Sequence, residues 1–125
     1  ALWQREGKIS LVDKEGVILE TNDLAKWKHL PIIVGTGALE NLETLVFLLE
    51  VEPIIKNKLV SATRIGARRW DFMLDNGVLI KLPEEDVEFA LRRIVTLEKE
   101  KSIFSKNVAV IDLRKPERMV VELAK

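Results

Sequence analysis

The stretch Arg68-Arg69-Trp70-Asp71-Phe72-Met73-Leu74-Asp75-Asn76-Gly77-Val78-Leu79-Ile80-Lys81-Leu82 decides the fold. Two apolar runs flank Asp75-Asn76-Gly77, and Asn-Gly supplies the two positive φ angles of a type I′ hairpin turn. The two-residue period of a strand gathers Trp70, Phe72 and Leu74 on one face. Val78, Ile80 and Leu82 gather in the same way across the turn. A hairpin with one wholly apolar face belongs inside a sheet, with that face on the core. The paired arginines stand at its mouth.

Working outward, Leu59 to Ile65 reads as the strand that leads into this hairpin. Before it, Leu39, Leu42, Leu45, Val46 and Leu49 recur at helical spacing, and Pro53 ends or restarts that helix. Pro31 to Ala38 is an apolar segment stopped by glycines. The first twenty residues read as a meander of Leu2–Gln4, Ile9–Val12 and Val17–Leu19, with Arg5-Glu6-Gly7-Lys8 and Asp13-Lys14-Glu15-Gly16 as turns. On the other side of the hairpin, Pro83-Glu84-Glu85-Asp86 is expected to open a second long helix, since proline and acidic residues suit a first turn. Val87, Leu91, Ile94 and Val95 mark its inner face. Val108 to Leu113 and Met119 to Leu123 close the chain as strands, joined by Arg114-Lys115-Pro116-Glu117-Arg118. The expected class is α+β: an antiparallel or mixed sheet with two long α-helices packed on it and a C-terminal edge strand.

At 125 residues the chain is one domain with enough length for a core. Twenty basic side chains balance twenty acidic ones, which removes the electrostatic reason to expect a nucleic-acid or anionic-membrane partner. No apolar run approaches the ~20 residues of a membrane span. With no cysteine there is no disulfide, thiolate nucleophile or zinc–sulfur site. The chain starts at Ala1-Leu2-Trp3, already strand-like, so a piece of a longer protein is expected.

The candidate chemical sites each have a plainer reading. Gly35-Thr36-Gly37 lacks both the P-loop lysine and the third glycine of a dinucleotide fingerprint, and reads as a turn into a helix. His29 has no second His or Cys nearby to share a metal. Glu84, Glu85 and Asp86 are accounted for by helix-terminal charge. Ser10, Ser61, Ser102 and Ser105 have no nucleophile-elbow context. Asp112 stands out as a charge in an apolar strand, with Arg114 two residues on as its nearest partner in sequence. An enzyme is therefore not expected, nor any cofactor or metal. The last strand is the feature left over. Met119-Val120-Val121-Glu122-Leu123 offers unpaired N–H and C=O groups on its outer side; the plainer reading is an edge blunted by Glu122 and by its shortness, and the alternative is strand addition by a partner.

Several segments together resemble the periplasmic β-domain of the bacterial FtsQ/DivIB division family. They are the Trp3 strand with Leu11-Val12-Asp13 and Gly16, Leu30-Pro31 through Gly35, Gly37 and Ala38, Arg68-Arg69-Trp70 with Asn76-Gly77 and Lys81-Leu82-Pro83, and Val110-Ile111-Asp112-Leu113-Arg114. The resemblance implies a non-enzymatic scaffold of the divisome. It implies further that residues 1–125 are the β-domain, with a trace of the junction to a POTRA domain at 1–12. The POTRA domain and the one transmembrane helix that anchors the protein in the inner membrane would lie outside this soluble piece. It also implies that the FtsB–FtsL coiled-coil pair is recruited by strand addition to Met119, Val120, Val121, Glu122 and Leu123. Arg114 would meet an acidic partner residue, with Arg68 or Arg69 as a second anchor. Lys115 stands where some relatives carry tyrosine.

Overall fold

The hairpin forms as expected and lies inside the sheet. In the computed structural model, which describes residues 1–21, 23–115 and 118–124, it comprises β6 (Arg69–Leu74) and β7 (Leu79–Lys81). Trp70, Phe72 and Leu74 are buried, and so are Val78, Ile80 and Leu82. The turn differs from the expected type I′. Gly77 has φ 87°, but Asn76 is not among the residues of positive φ. The Gly77 N–H donates to the Leu74 carbonyl at 3.0 Å, and the Leu74 N–H to the Val78 carbonyl at 2.9 Å. This is a three-residue loop, a type I turn followed by a glycine bulge. Asparagine serves there through its side chain. Its amide donates to the Phe104 carbonyl at 3.0 Å, and its oxygen accepts the Val78 N–H at 3.2 Å. The type I′ angles occur instead at Glu6 (φ 51°) and Gly7 (φ 78°), between β1 (Leu2–Arg5) and β2 (Lys8–Val12).

The remaining strands are β3 (Ile18–Leu19), β4 (Ile32–Val34), β5 (Leu59–Ile65), β8 (Val108–Asp112) and β9 (Val120–Leu123). All nine form one sheet in the order β3-β2-β1-β4-β5-β6-β7-β8-β9. Residues 1–12 thus enter the same sheet as the rest. The sheet is mixed: β4 runs parallel to β1 and to β5, and β7 parallel to β8. Parallel neighbours need a crossover. Between β4 and β5 it is supplied by α1 (Leu42–Val51) with α2 (Pro53–Lys58) and between β7 and β8 by α3 (Val87–Lys101), while β1 reaches β4 by way of β2 and β3. Leu42, Leu45, Leu48 and Leu49 of α1 and Ala90, Leu91, Ile94 and Val95 of α3 join the strand residues in one apolar cluster.

α3 starts later than its sequence signature suggests. Its first residue is Val87, only Glu88 is acidic in its first turn, and Asp86 before it has φ 57°. Pro83, Glu84 and Glu85 precede the helix, where Glu84 pairs with Arg68 at 3.2 Å. Proline and acids mark the approach to this helix, while the chain's exit from β7 sets where winding begins. At the other end the Glu98 carboxylate accepts the Phe104 N–H at 3.0 Å. Pro116 and Glu117, in the connection between β8 and β9, lie outside the described residues.

Two outcomes test this packing. Trp70→Ala is expected to cost roughly 3–5 kcal/mol in denaturant unfolding, the range for a buried large aromatic; unchanged melting would place the ring at the surface. Asn76→Ala is expected to cost about 1–3 kcal/mol, because it leaves a carbonyl and an N–H without their partner. A neutral result would return the turn to a purely conformational role for Asn76.

Candidate partner-binding edge

The core face of the sheet carries one continuous row across its strands. Ile33, Ala62, Phe72, Ile80 and Ile111 are register neighbours from β4 to β8, and each is 0% exposed. The next member is Val121 on β9, and it is 38% exposed. The row therefore ends in the open, one strand short of cover. All four residues of β9 are exposed, Leu123 to 71%, and no described residue pairs with the outer side of the strand.

The backbone bonds fix which groups that outer side offers. The Leu113 N–H donates to the Lys81 carbonyl on β7 at 2.8 Å. Successive backbone groups in a strand alternate sides, so the polar groups of Asp112, one residue earlier, turn toward β9. From the other end, the Ala124 N–H donates to the Asn107 carbonyl at 2.8 Å, and the Asn107 amide returns a bond to the Ala124 carbonyl at 3.1 Å. Counting back by twos, Glu122 and Val120 face inward, which agrees with the pairing of Asp112 with Val120. Val121 and Leu123 present their N–H and C=O groups outward. A register shift near Ala109, between Val108 and Val110, lies on β8, so the count along β9 is undisturbed.

The charged residues gather around this edge. Arg114 grips Asp112 with both ends of its guanidinium, Nε to Oδ1 at 3.0 Å and Nη2 to Oδ2 at 2.7 Å, while its N–H also reaches Oδ1 at 3.0 Å. The Arg114 side chain, with burial opposing and Lys81 adding to the pull, holds the Asp112 carboxyl down to about 2. Arg114 borders two crevices. One, of about 510 Å³, brings it together with Arg68, Arg69, Glu84, Glu85 and Asp86. The other, of about 460 Å³, joins it to Asp112, Lys115, Arg118 and Val120. Of the expected site residues, Arg68, Arg69, Arg114, Lys115 and Val120 line these crevices, with two qualifications. Met119 precedes β9 and is partly buried against the core. Arg69 is ion-paired to Asp71, with their side chains only 17% and 14% exposed, whereas Arg68 and Glu84 are 75% and 50% exposed. Sequence reasoning passed over Arg118, which lines the second crevice, and Asn107, which ties down the end of β9. A lone polar residue before a strand gives no signal of that role. Among the described residues, no group of three or more His, Asp or Glu is placed to hold a metal. Nor is any helix there long and apolar enough to cross a membrane.

Residues 1–114 match the family described as cell division protein FtsQ/DivIB, C-terminal. The chain belongs to that family. It is 36% identical over 124 residues to the cell division protein FtsQ of Bradyrhizobium diazoefficiens, covering 99% of this chain and 36% of that protein. To the FtsQ of Rickettsia conorii it is 38% identical over 122 residues, covering 98% of this chain and 45% of that protein. To the FtsQ of Caulobacter vibrioides it is 35% identical over 121 residues, with 97% and 40% covered. The chain therefore spans less than half the length of these relatives. Those relatives are named as cell division proteins, and this chain is a domain of their family.

Two outcomes test the geometry of the edge. Val120→Pro removes an inward donor and is expected to loosen β9, whereas Val121→Pro removes an outward one and is expected to melt close to wild type. The reverse order would overturn the assignment of sides. The second concerns acid stability. Folding lowers the Asp112 pKa from 3.8 to about 2. The stabilisation from its pairing is therefore complete above the unfolded value and is lost as pH falls through the folded one. The stability difference between wild type and Asp112→Asn should narrow across that window; a constant difference would deny the pair its role.

Proposed function

We propose that this chain is a non-enzymatic scaffold domain on the periplasmic side of the bacterial inner membrane, which recruits the FtsB–FtsL pair by strand addition to β9. A single transmembrane helix and a POTRA domain, beyond the residues of this chain, complete the protein in this reading. The observation that carries it is the outer side of β9, where Val121 ends a fully buried row while still 38% exposed. A strand laid there would extend the sheet to ten and cover the end of that row. It would also meet the outward groups of Val121 and Leu123, which is how edge recognition gains affinity from the main chain.

The charges supply direction. An acidic partner side chain fits beside Arg114, Lys115 and Arg118, where charge-assisted bonds are the strong ones. The resemblance leaves Arg68 and Arg69 as alternatives for the second anchor, and burial separates them. An exposed pair such as Arg68–Glu84 is worth roughly 0–1 kcal/mol, so Arg68 can exchange its carboxylate for a partner's at small cost. Arg69 is largely covered, and breaking its pair would strand a charge. Arg68 is the anchor in this account and Arg69 is a support. Lys115 retains a positive charge at the place where some relatives carry an aromatic ring.

Binding of a peptide from the membrane-distal end of the cognate FtsB, followed by calorimetry, tests the proposal. Val121→Pro is expected to weaken binding at least tenfold, about 1.4 kcal/mol, while melting stays near wild type; Arg114→Glu is expected to weaken it as much and to lower melting as well, since it breaks the pair with Asp112. Arg68→Glu should weaken binding, and Arg69→Glu should lower stability. If Val121→Pro binds as wild type does, recognition runs through side chains elsewhere.

A further inference from the structure

The outer face of α1 carries a feature that strand addition at β9 does not use. Residues 39–52 hold four glutamates, Glu40, Glu43, Glu50 and Glu52, and no lysine or arginine, in a chain whose formal net charge is zero. Among them Phe47 is 54% exposed and Val51 is 41% exposed. Phe47 stands one turn from Glu43 and one turn from Glu50, so the ring lies between two carboxylates on one helical stripe. Beside it runs a groove of about 350 Å³ between α1 and the turn that joins β2 to β3, lined by Phe47, Val46, Glu43, Glu50, Lys14 and Glu15.

The far wall of this groove is held in place. Gly16 approaches the segment leading into α1 so closely that a Cβ would meet the Leu39 carbonyl oxygen at 3.2 Å and the Leu39 Cγ at 3.3 Å. The Asp13 carboxylate accepts the N–H groups of Glu15 and Val17, both at 2.9 Å, which fixes the turn itself. A preformed groove lined by an aromatic ring costs little ordering when it is filled.

We propose that this groove is a second docking surface, for a protein segment in which an apolar anchor residue is flanked by lysine or arginine. The anchor would cover Phe47, and the flanking cations would meet Glu43 and Glu50. The charge decides the class of occupant. An anionic bilayer would be repelled by the same glutamates, and an acidic segment of the kind suited to Arg114 would be repelled as well. The two surfaces share no residue, so either can be lost without the other.

The test uses the ¹⁵N-labelled domain and a probe peptide of Lys and Leu at helical spacing. A control peptide carries Ser in place of Leu. The probe is expected to shift the amides of α1 and the 13–16 turn, and the control to bind about tenfold more weakly or worse. Phe47→Ser, and separately Glu43→Lys with Glu50→Lys, should each weaken the probe about tenfold, leaving binding at the β9 edge unchanged. Shifts confined to β9, equal binding of the control, or wild-type affinity in both variants would overturn the proposal. So would Phe47-dependent binding to phosphatidylglycerol vesicles. Self-association in sedimentation that disappears with Phe47→Ser would assign the face to a second copy and overturn it too.

Discussion

The burial of Ile80 against Ile111 fixes the place of everything at the β9 end of this sheet. Those two residues are register neighbours on parallel strands, and a parallel pair cannot be closed by a tight turn. The chain must leave β7, cross over the sheet through α3 and return as β8. Once β8 lies beside β7, with the Leu113 N–H committed to the Lys81 carbonyl, only its far side remains for pairing. The short return of β9 takes that side. An open sheet always leaves two edges. Here one edge is β3, two residues long, and the other is β9, twice that length and next to the arginines. The asymmetry follows from chain order.

Backbone pairing alone does not make that edge a tight site. Four outward groups, the N–H and C=O of Val121 and of Leu123, contribute about 2–6 kcal/mol if each bond is worth about 0.5–1.5. Bringing two molecules together costs an estimated 4–15 kcal/mol. The difference must come from side chains. Val121 and Leu123 have apolar surface to cover, and Arg114 has its guanidinium already oriented by Asp112. A cation held in position by a carboxylate loses less freedom on meeting a second one. The Asp112–Arg114 pair thus links the strand's geometry to the charge it presents.

Much of this was legible in the chain. The buried faces of β6 and β7 follow from a period of two, and the stripes of α1 and α3 from a period near four, since both patterns are local. What escaped is non-local. Asn76 was expected to serve through its φ angle, yet it serves through a bond to a carbonyl twenty-eight positions away. Pro83-Glu84-Glu85 has the composition of a helix start, but Glu84 is drawn to Arg68 across the mouth of the hairpin. The parallel pairing of β4 with β1 and β5 leaves no mark in three apolar residues. At the edge, the strand and its arginines were readable, but the side to which each amide points required the contacts of Leu113 and Ala124.

Amide hydrogen exchange on β9 tests the central claim most directly, because it reads the donors themselves. In the free domain Val121 and Leu123 should exchange fast, while Glu122, bonded to β8, exchanges slowly. With a saturating peptide from the membrane-distal end of FtsB, exchange at Val121 and Leu123 should slow markedly and Glu122 should change little. Saturable binding that leaves Val121 and Leu123 exchanging at their free rates would contradict strand addition at this edge.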